Sequence, residues 1–122
     1  MKRSITTLLV LAAYTMNTAI AGDVSIVDAT ANKTGNNQYS FSVTLKHADT
    51  GWDHYANEWQ VLSPDGKVLG TRTLYHPHVD EQPFTRSLSG VAIPADIKEV
   101  MIRARDSKHG YNKQEFRLKL SE

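Results

Sequence analysis

The 122-residue sequence contains no cysteine. Without thiols the chain can form no disulfide bond, even in a compartment that would allow one. It also offers no thiolate as a catalytic nucleophile or as a metal ligand. The fold must therefore be held by an apolar core alone, which is feasible for one domain of this length.

Apolar runs long enough to cross a membrane are missing as well. A spanning helix needs about 20 consecutive apolar residues, whereas the apolar run over residues 5–13 is shorter and contains polar residues. This run follows Lys2 and Arg3 and leads to an A-x-A pattern, which predicts a secretory signal peptide over residues 1–21. We expect one exported domain over residues 22–122, periplasmic or secreted, with no membrane span after cleavage.

Excess charge of either sign is absent. Removal of Lys2 and Arg3 with the signal peptide leaves 12 of the 14 basic residues against 13 acidic residues, so the net charge becomes −1. The basic isoelectric point of the whole chain therefore indicates no nucleic-acid partner.

Several sequence patterns of enzymes and of helical proteins are absent too. After the signal we find no heptads, no long helical stripe of apolar residues, no glycine-rich phosphate loop and no G-x-S-x-G nucleophile turn. No spacing selects a serine, a histidine and an acid together. The residues thus favour a binding protein over an enzyme and leave the question of redox activity open.

What the sequence does contain is a series of short alternating segments. In QYSFSVTLKH, Tyr39, Phe41, Val43, Leu45 and His47 share one face, which is typical of a half-buried strand. The seven predicted strands cover residues 24–30, 38–47, 57–63, 67–75, 84–91, 99–106 and 114–120. Seven short antiparallel strands in about 100 residues predict an all-β, immunoglobulin-like β-sandwich.

The five histidines all fall in three of the connections between these strands. The second connection holds His47 and His54, the fourth holds His76 and His78, and the sixth holds His109. If successive strands run up and down, every second connection lies at the same end of the sandwich. Because imidazole is a common ligand of copper, zinc and iron, we predict one transition-metal site at this end, with the identity of the metal left open. Nearby acids, Asp49, Asp53, Asp80, Glu81 and Asp106, could support it.

Two fragments, HADTGWDHYANEW and RARDSKHG, resemble the iron-site domain of desulfoferrodoxins and superoxide reductases, itself an immunoglobulin-like sandwich. That family has patterns like H-P-M-x-x-E-H-Y-x-x-W and A-R-x-x-C-N-x-H-G. The matching residues here are His47, His54, Tyr55 and Trp59 in the first fragment and Asp106, His109 and Gly110 in the second.

The resemblance implies that His47, His54 and His109 are metal ligands, and it brings a superoxide-reductase-like redox role as a third hypothesis. It also places Asp106 where the family has its thiolate ligand. The spacing from His47 to His54 is one residue longer than in the family pattern, and no histidine precedes His47. His76 or His78 would then supply the remaining ligand.

Aromatic residues in the same connections support an alternative from another functional class. Trp52, Tyr55, Tyr75, Phe84 and Tyr111 could form a surface that contacts a sugar ring or a peptide. Tyr75 and Phe84 are expected to end their strands over the core, which leaves Trp52 as the residue for recognition. The leading hypothesis is metal binding or delivery, with a periplasmic protein partner left open, and the alternative is a module that binds a protein or a carbohydrate.

Overall fold

The computed structural model describes residues 23–121, and all of the regular structure in this range is β-strand. The predicted signal peptide, residues 1–21, lies outside the described residues. No helix in the described range is long and apolar enough to cross a membrane.

Eight strands follow one another along the chain. They are β1 (Ser25–Gly35), β2 (Gln38–Lys46), β3 (Ala56–Leu62), β4 (Val68–Thr73), β5 (Phe84–Ala92), β6 (Glu99–Asp106), β7 (Gly110–Tyr111) and β8 (Phe116–Lys119).

The strands form two antiparallel sheets. One sheet has the order β1-β2-β5, and the other has the order β4-β3-β6 with β7 and β8 both paired to β6. β7 pairs with the end of β6 and β8 pairs with its beginning, so the two form one interrupted edge. The predicted all-β sandwich of antiparallel strands is confirmed, whereas its immunoglobulin-like character stays a prediction.

The core lies between the sheets and follows from the alternation of each strand. In β2 the buried residues are Tyr39, Phe41, Val43 and Leu45, and in β6 they are Val100, Ile102, Ala104 and Asp106. Trp59 of β3 is fully buried among them. Because side chains on a strand alternate between two faces, the buried faces of β2 and β6 continue into His47 and Asp106, at the same end of the sandwich.

The predicted strand bounds agree with the observed ones to within two residues, with two exceptions, the end of β1 and the additional strand β7. β1 continues to Gly35, so only residues 36 and 37 connect it to β2. β4 ends at Thr73, whereas the prediction extended it to Tyr75. The two-residue strand β7 lies in the predicted sixth connection, where it is too short to show any alternation.

One side-chain amide fixes the beginning of the described chain to this second sheet. Asn112 accepts a hydrogen bond from the backbone N–H of Val24 through Oδ1 and donates one from Nδ2 to the Val24 carbonyl. The backbone N–H of Asn112 donates to the Ala104 carbonyl on β6. The side chain of Asn112 thus makes the hydrogen bonds with the Val24 backbone that a neighbouring strand would otherwise make.

Candidate metal centre

Three imidazole nitrogens surround one oxygen of a buried carboxylate. Oδ2 of Asp106 lies 3.2 Å from Nε2 of His47, 3.1 Å from Nε2 of His54 and 3.0 Å from Nδ1 of His109. The ligand atoms offered by His47, His54 and Asp106 all lie within 4.8 Å of one another. We term Asp106, His47, His54 and His109 together the Asp106 cluster.

The residues of the Asp106 cluster lie at or near the ends of strands from both sheets. His47 follows the end of β2, His54 precedes β3 by two residues, and Asp106 is the last residue of β6. The turn after Asp106 brings His109 back, because Gly110 adopts a positive φ of 81° that favours glycine. The cluster therefore closes the open end of the sandwich between the sheets.

The carboxylate of Asp106 is held in its charged form. Burial raises the pKa of Asp106, but hydrogen bonds from the backbone and ring of His109, from the ring of His54 and from the backbone of Lys108 outweigh it. The pKa of Asp106 consequently lies well below its usual range. A buried anion is thus available at neutral pH beside three imidazoles.

A second buried carboxylate, Asp49, orients His47 from the other side. Oδ1 of Asp49 is 2.6 Å from Nδ1 of His47 and also accepts the backbone N–H of Ala56, while Oδ2 accepts the backbone N–H of His78. An ionised carboxylate only accepts hydrogen bonds, so Nδ1 of His47 is the donor. Nε2 is then the nitrogen that the ring presents to the Asp106 cluster.

The sequence indicated Asp49 only as one of several nearby acids. Its signal is the spacing from His47, since the residue two positions after an inward-facing histidine returns to the same side. Asp49 does so through a tight turn in which its backbone N–H donates to the His47 carbonyl, 2.9 Å away.

Gln82 is a further residue that sequence reasoning missed. Its Oε1 accepts the backbone N–H of His47 at 2.9 Å, and its Nε2 donates to the His78 carbonyl at 2.9 Å. The fourth connection is therefore bound to the second through both Gln82 and Asp49. No periodic pattern marks a polar residue in an irregular loop as such a link.

The structure does not place the other two predicted ligands around Asp106. His78 is buried, and its ring stacks on Phe84 with centroids 4.0 Å apart. His76 is exposed, and its ring centroid lies 4.6 Å from that of His78. Burial, with further effects from Arg86 and His76, lowers the pKa of His78, so this ring is neutral at neutral pH.

The Asp106 cluster borders on open space. A cleft of about 480 Å³ is lined by His47 and His54 together with Asp23, Ser25, Lys46, Ala48 and Thr50. His109 is also partly exposed, with 48% of its side chain accessible. An ion could therefore reach the cluster without the core opening.

The aromatic residues of these connections are in mixed environments. Trp52 is 68% exposed and makes an edge contact with Tyr55. Phe84 covers the core as expected, but Tyr75 is 77% exposed, because the chain has left β4 before it. Tyr111 donates a hydrogen bond to Glu58.

Comparisons with known proteins give one relative. No family model matches the chain, and no solved structure matches it. A protein of Halomicrobium mukohataei with the name "Putative lipoprotein" is 41% identical over 92 residues, which cover 75% of this chain and 45% of that protein. The chain thus spans less than half the length of the curated relative that it matches.

Proposed function

We propose that the chain is an exported protein that binds a divalent transition-metal ion through the Asp106 cluster, for metal handling or delivery. The observation that carries the proposal is the arrangement of three ring nitrogens at 3.0–3.2 Å from one buried carboxylate oxygen. Export is supported by the predicted signal peptide and by the name of the relative, which describes a lipoprotein.

These separations suit ligands of a common ion. Two atoms that each lie about 2.0–2.1 Å from a tetrahedral zinc ion are about 3.3 Å apart. The nitrogen-to-oxygen distances of 3.0–3.2 Å in the Asp106 cluster are close to this value. The ligand atoms of His47, His54 and Asp106 lie within 4.8 Å of one another, so seating an ion would need side-chain movements that bring the ring nitrogens closer together.

The charges in the cluster favour the same proposal. Two buried carboxylates, Asp49 and Asp106, face opposite edges of the His47 ring. A divalent ion bound at Nε2 of His47 would offset this buried negative charge. Its binding should release protons from the ligands, as metal binding generally does.

The donor set limits the choice of metal without fixing it. Three imidazoles and one carboxylate suit zinc, iron(II) and copper(II), whereas soft ions prefer the sulfur ligands that this chain lacks at the site. The open cleft favours an exchangeable ion over one sealed into the fold. The resemblance to superoxide reductases remains a proposal about the scaffold, since Asp106 replaces the thiolate that the family pattern contains.

The test is metal titration of the full chain without an affinity tag, after removal of metal by a chelator. We expect zinc to bind with about one equivalent and with lower affinity at pH 5, because the imidazoles must lose protons first. His54→Ala combined with His109→Ala should lower the affinity at least 100-fold. Both rings also hydrogen-bond to the buried Asp106 carboxylate, so the metal-free double variant should melt at a lower temperature, and zinc binding is measured below its melting transition.

The matched control is Asp53→Asn, which alters an exposed acid in the same connection and should leave zinc binding unchanged. The proposal fails if the wild-type chain shows no saturable binding of zinc, iron(II) or copper(II) at neutral pH. It also fails if the double variant binds zinc as tightly as the wild-type chain.

A recognition module is the second candidate, and the exposure of Trp52 favours it. Trp52 lies against Tyr55, which follows His54 of the Asp106 cluster in the sequence. The indole fluorescence of Trp52 offers a direct test, because a bound peptide or sugar ring would shift its emission. Trp52→Ala should abolish that shift, whereas it should leave zinc binding intact.

A further inference from the structure

The pair His76 and His78, on either side of Pro77, is not accounted for by the Asp106 cluster. The His78 residue is only 5% exposed. Within the described part of the chain, neither Nδ1 nor Nε2 of its ring has a hydrogen-bond partner. A buried polar atom without a partner destabilises the fold and is rare in native proteins. Such a ring indicates a missing partner.

His76 presents a second imidazole to the same place. Its ring centroid is 4.6 Å from that of His78, and its Nδ1 lies 3.1 Å from the Pro77 carbonyl oxygen. A carbonyl only accepts, so Nδ1 donates, and in the neutral ring Nε2 keeps its lone pair. Pro77 has a restricted φ, which limits how far the two rings can separate.

We propose that His76 and His78 form a second metal site, separate from the Asp106 cluster, that binds copper(II). With only two imidazole donors, the site favours the metal that binds nitrogen ligands most strongly, and copper(II) stands highest in that order. The carboxylate of Glu81, whose charge acts on His78, pairs with Arg86 at 3.1 Å. Water completes the coordination on the exposed side of His76.

The carboxylate of Asp49 contacts one residue of each proposed site. It accepts the His47 ring on one oxygen and the His78 backbone N–H on the other, at 2.6 and 2.7 Å. The contact to His78 is through the backbone, so its ring stays available for an ion. The two sites thus use different ring nitrogens, although the Asp49 carboxylate contacts both.

The experiment titrates the full, untagged, metal-free chain with zinc alone and with copper(II) alone. We expect about one equivalent of zinc and about two of copper(II). His76→Ala should remove one copper equivalent and leave the zinc equivalent. His78→Phe, which keeps an aromatic ring against Phe84, should do the same. The double variant of His54 and His109 should keep one copper equivalent, and adding His76→Ala to it should remove that one.

The copper site is refuted if the wild-type chain binds a single copper equivalent that the double variant of His54 and His109 abolishes. It is also refuted if His76→Ala still binds two, because the second ion would then lie elsewhere. Loss of the zinc equivalent in all chains, with His76-dependent copper binding retained, would instead refute the Asp106 cluster and support the second site. His76 is exposed, so its variant tests the proposal even if His78→Phe fails to fold.

Discussion

The two ends of the sandwich differ in whether their acidic side chains are exposed or buried. At the end opposite the histidines, turns close through backbone hydrogen bonds such as Gly66 to Ser63 and Ile97 to Pro94, and the acid Asp65 is exposed. At the histidine end, Asp49 and Asp106 are buried. Buried charges cost stability unless they are paired. The opposite end is thus closed by turns with backbone hydrogen bonds. The histidine end instead keeps buried carboxylates, which cost stability, in an arrangement suited to an ion.

The largest expected effect concerns the core that both ends share. Trp59→Ala removes a fully buried indole and should lower the free energy of unfolding by about 3–5 kcal/mol. Denaturant unfolding of the metal-free chain measures this loss, and Trp59→Phe should lose less. An unchanged midpoint would mean that Trp59 does not support the sandwich.

The comparison of the two ends is tested most directly at Asp49. Asp49→Asn removes the anion that holds Nδ1 of His47 and should weaken zinc binding by about 10–100-fold. That loss corresponds to about 1.4–2.7 kcal/mol of binding free energy. Calorimetry with zinc provides the measurement. Equal affinities of variant and wild type would show that Asp49 supports only the fold.

A smaller effect should appear in the pH dependence of stability. Because burial lowers the pKa of His78 below the usual histidine value of about 6.5, the unfolded chain binds more protons than the folded chain just below that value. The contribution of His78 is therefore present above about pH 6.5 and is lost as pH falls through the lowered folded pKa. The lowered pKa of Asp106 affects stability only below about pH 4, where an ordinary carboxyl group titrates.

We expect the metal-free wild-type chain to lose more stability between pH 7 and pH 5 than His78→Phe does. Thermal melts of both chains at the two pH values provide the comparison. The same decrease in both chains would show that the buried imidazole does not titrate in this interval.

The smallest effect is expected at the opposite end. Asp65 accepts a hydrogen bond from Ser63, which lowers the pKa of its exposed carboxyl. Asp65→Asn should leave zinc affinity unchanged and reduce the melting temperature only slightly, which makes it the counterpart of Asp49→Asn. A loss of zinc affinity here would mean that the two ends are not independent.

Alternation explains how much of this could be predicted from the sequence. The period of two placed Phe41 and Ile102 in the core, and strand parity predicted that His47, His54 and His109 lie together. The same period, continued beyond the last apolar residue of β6, points to Asp106. Their convergence is observed, and their role as ligands stays a prediction.

Irregular segments gave no comparable signal. The fourth connection has no period, so nothing in the sequence distinguishes the buried His78 from the exposed His76. Phe116 packs against the core but is only partly buried, because β8 is an edge strand. The hydrogen bond from the His47 backbone N–H to the Gln82 side chain depends on tertiary contacts between two loops. Local secondary-structure propensities do not encode such contacts.

The amide of Asn112 has a consequence for orientation. It fixes Val24 beside the end of β6 that carries Asp106, while Leu120 is bonded to Lys98 at the other end of that strand. The described chain therefore enters the fold at the histidine end and leaves it at the opposite one. The first described residues and the candidate metal centre thus share one end of the sandwich, where Asp23 and Ser25 line the same cleft as His47 and His54.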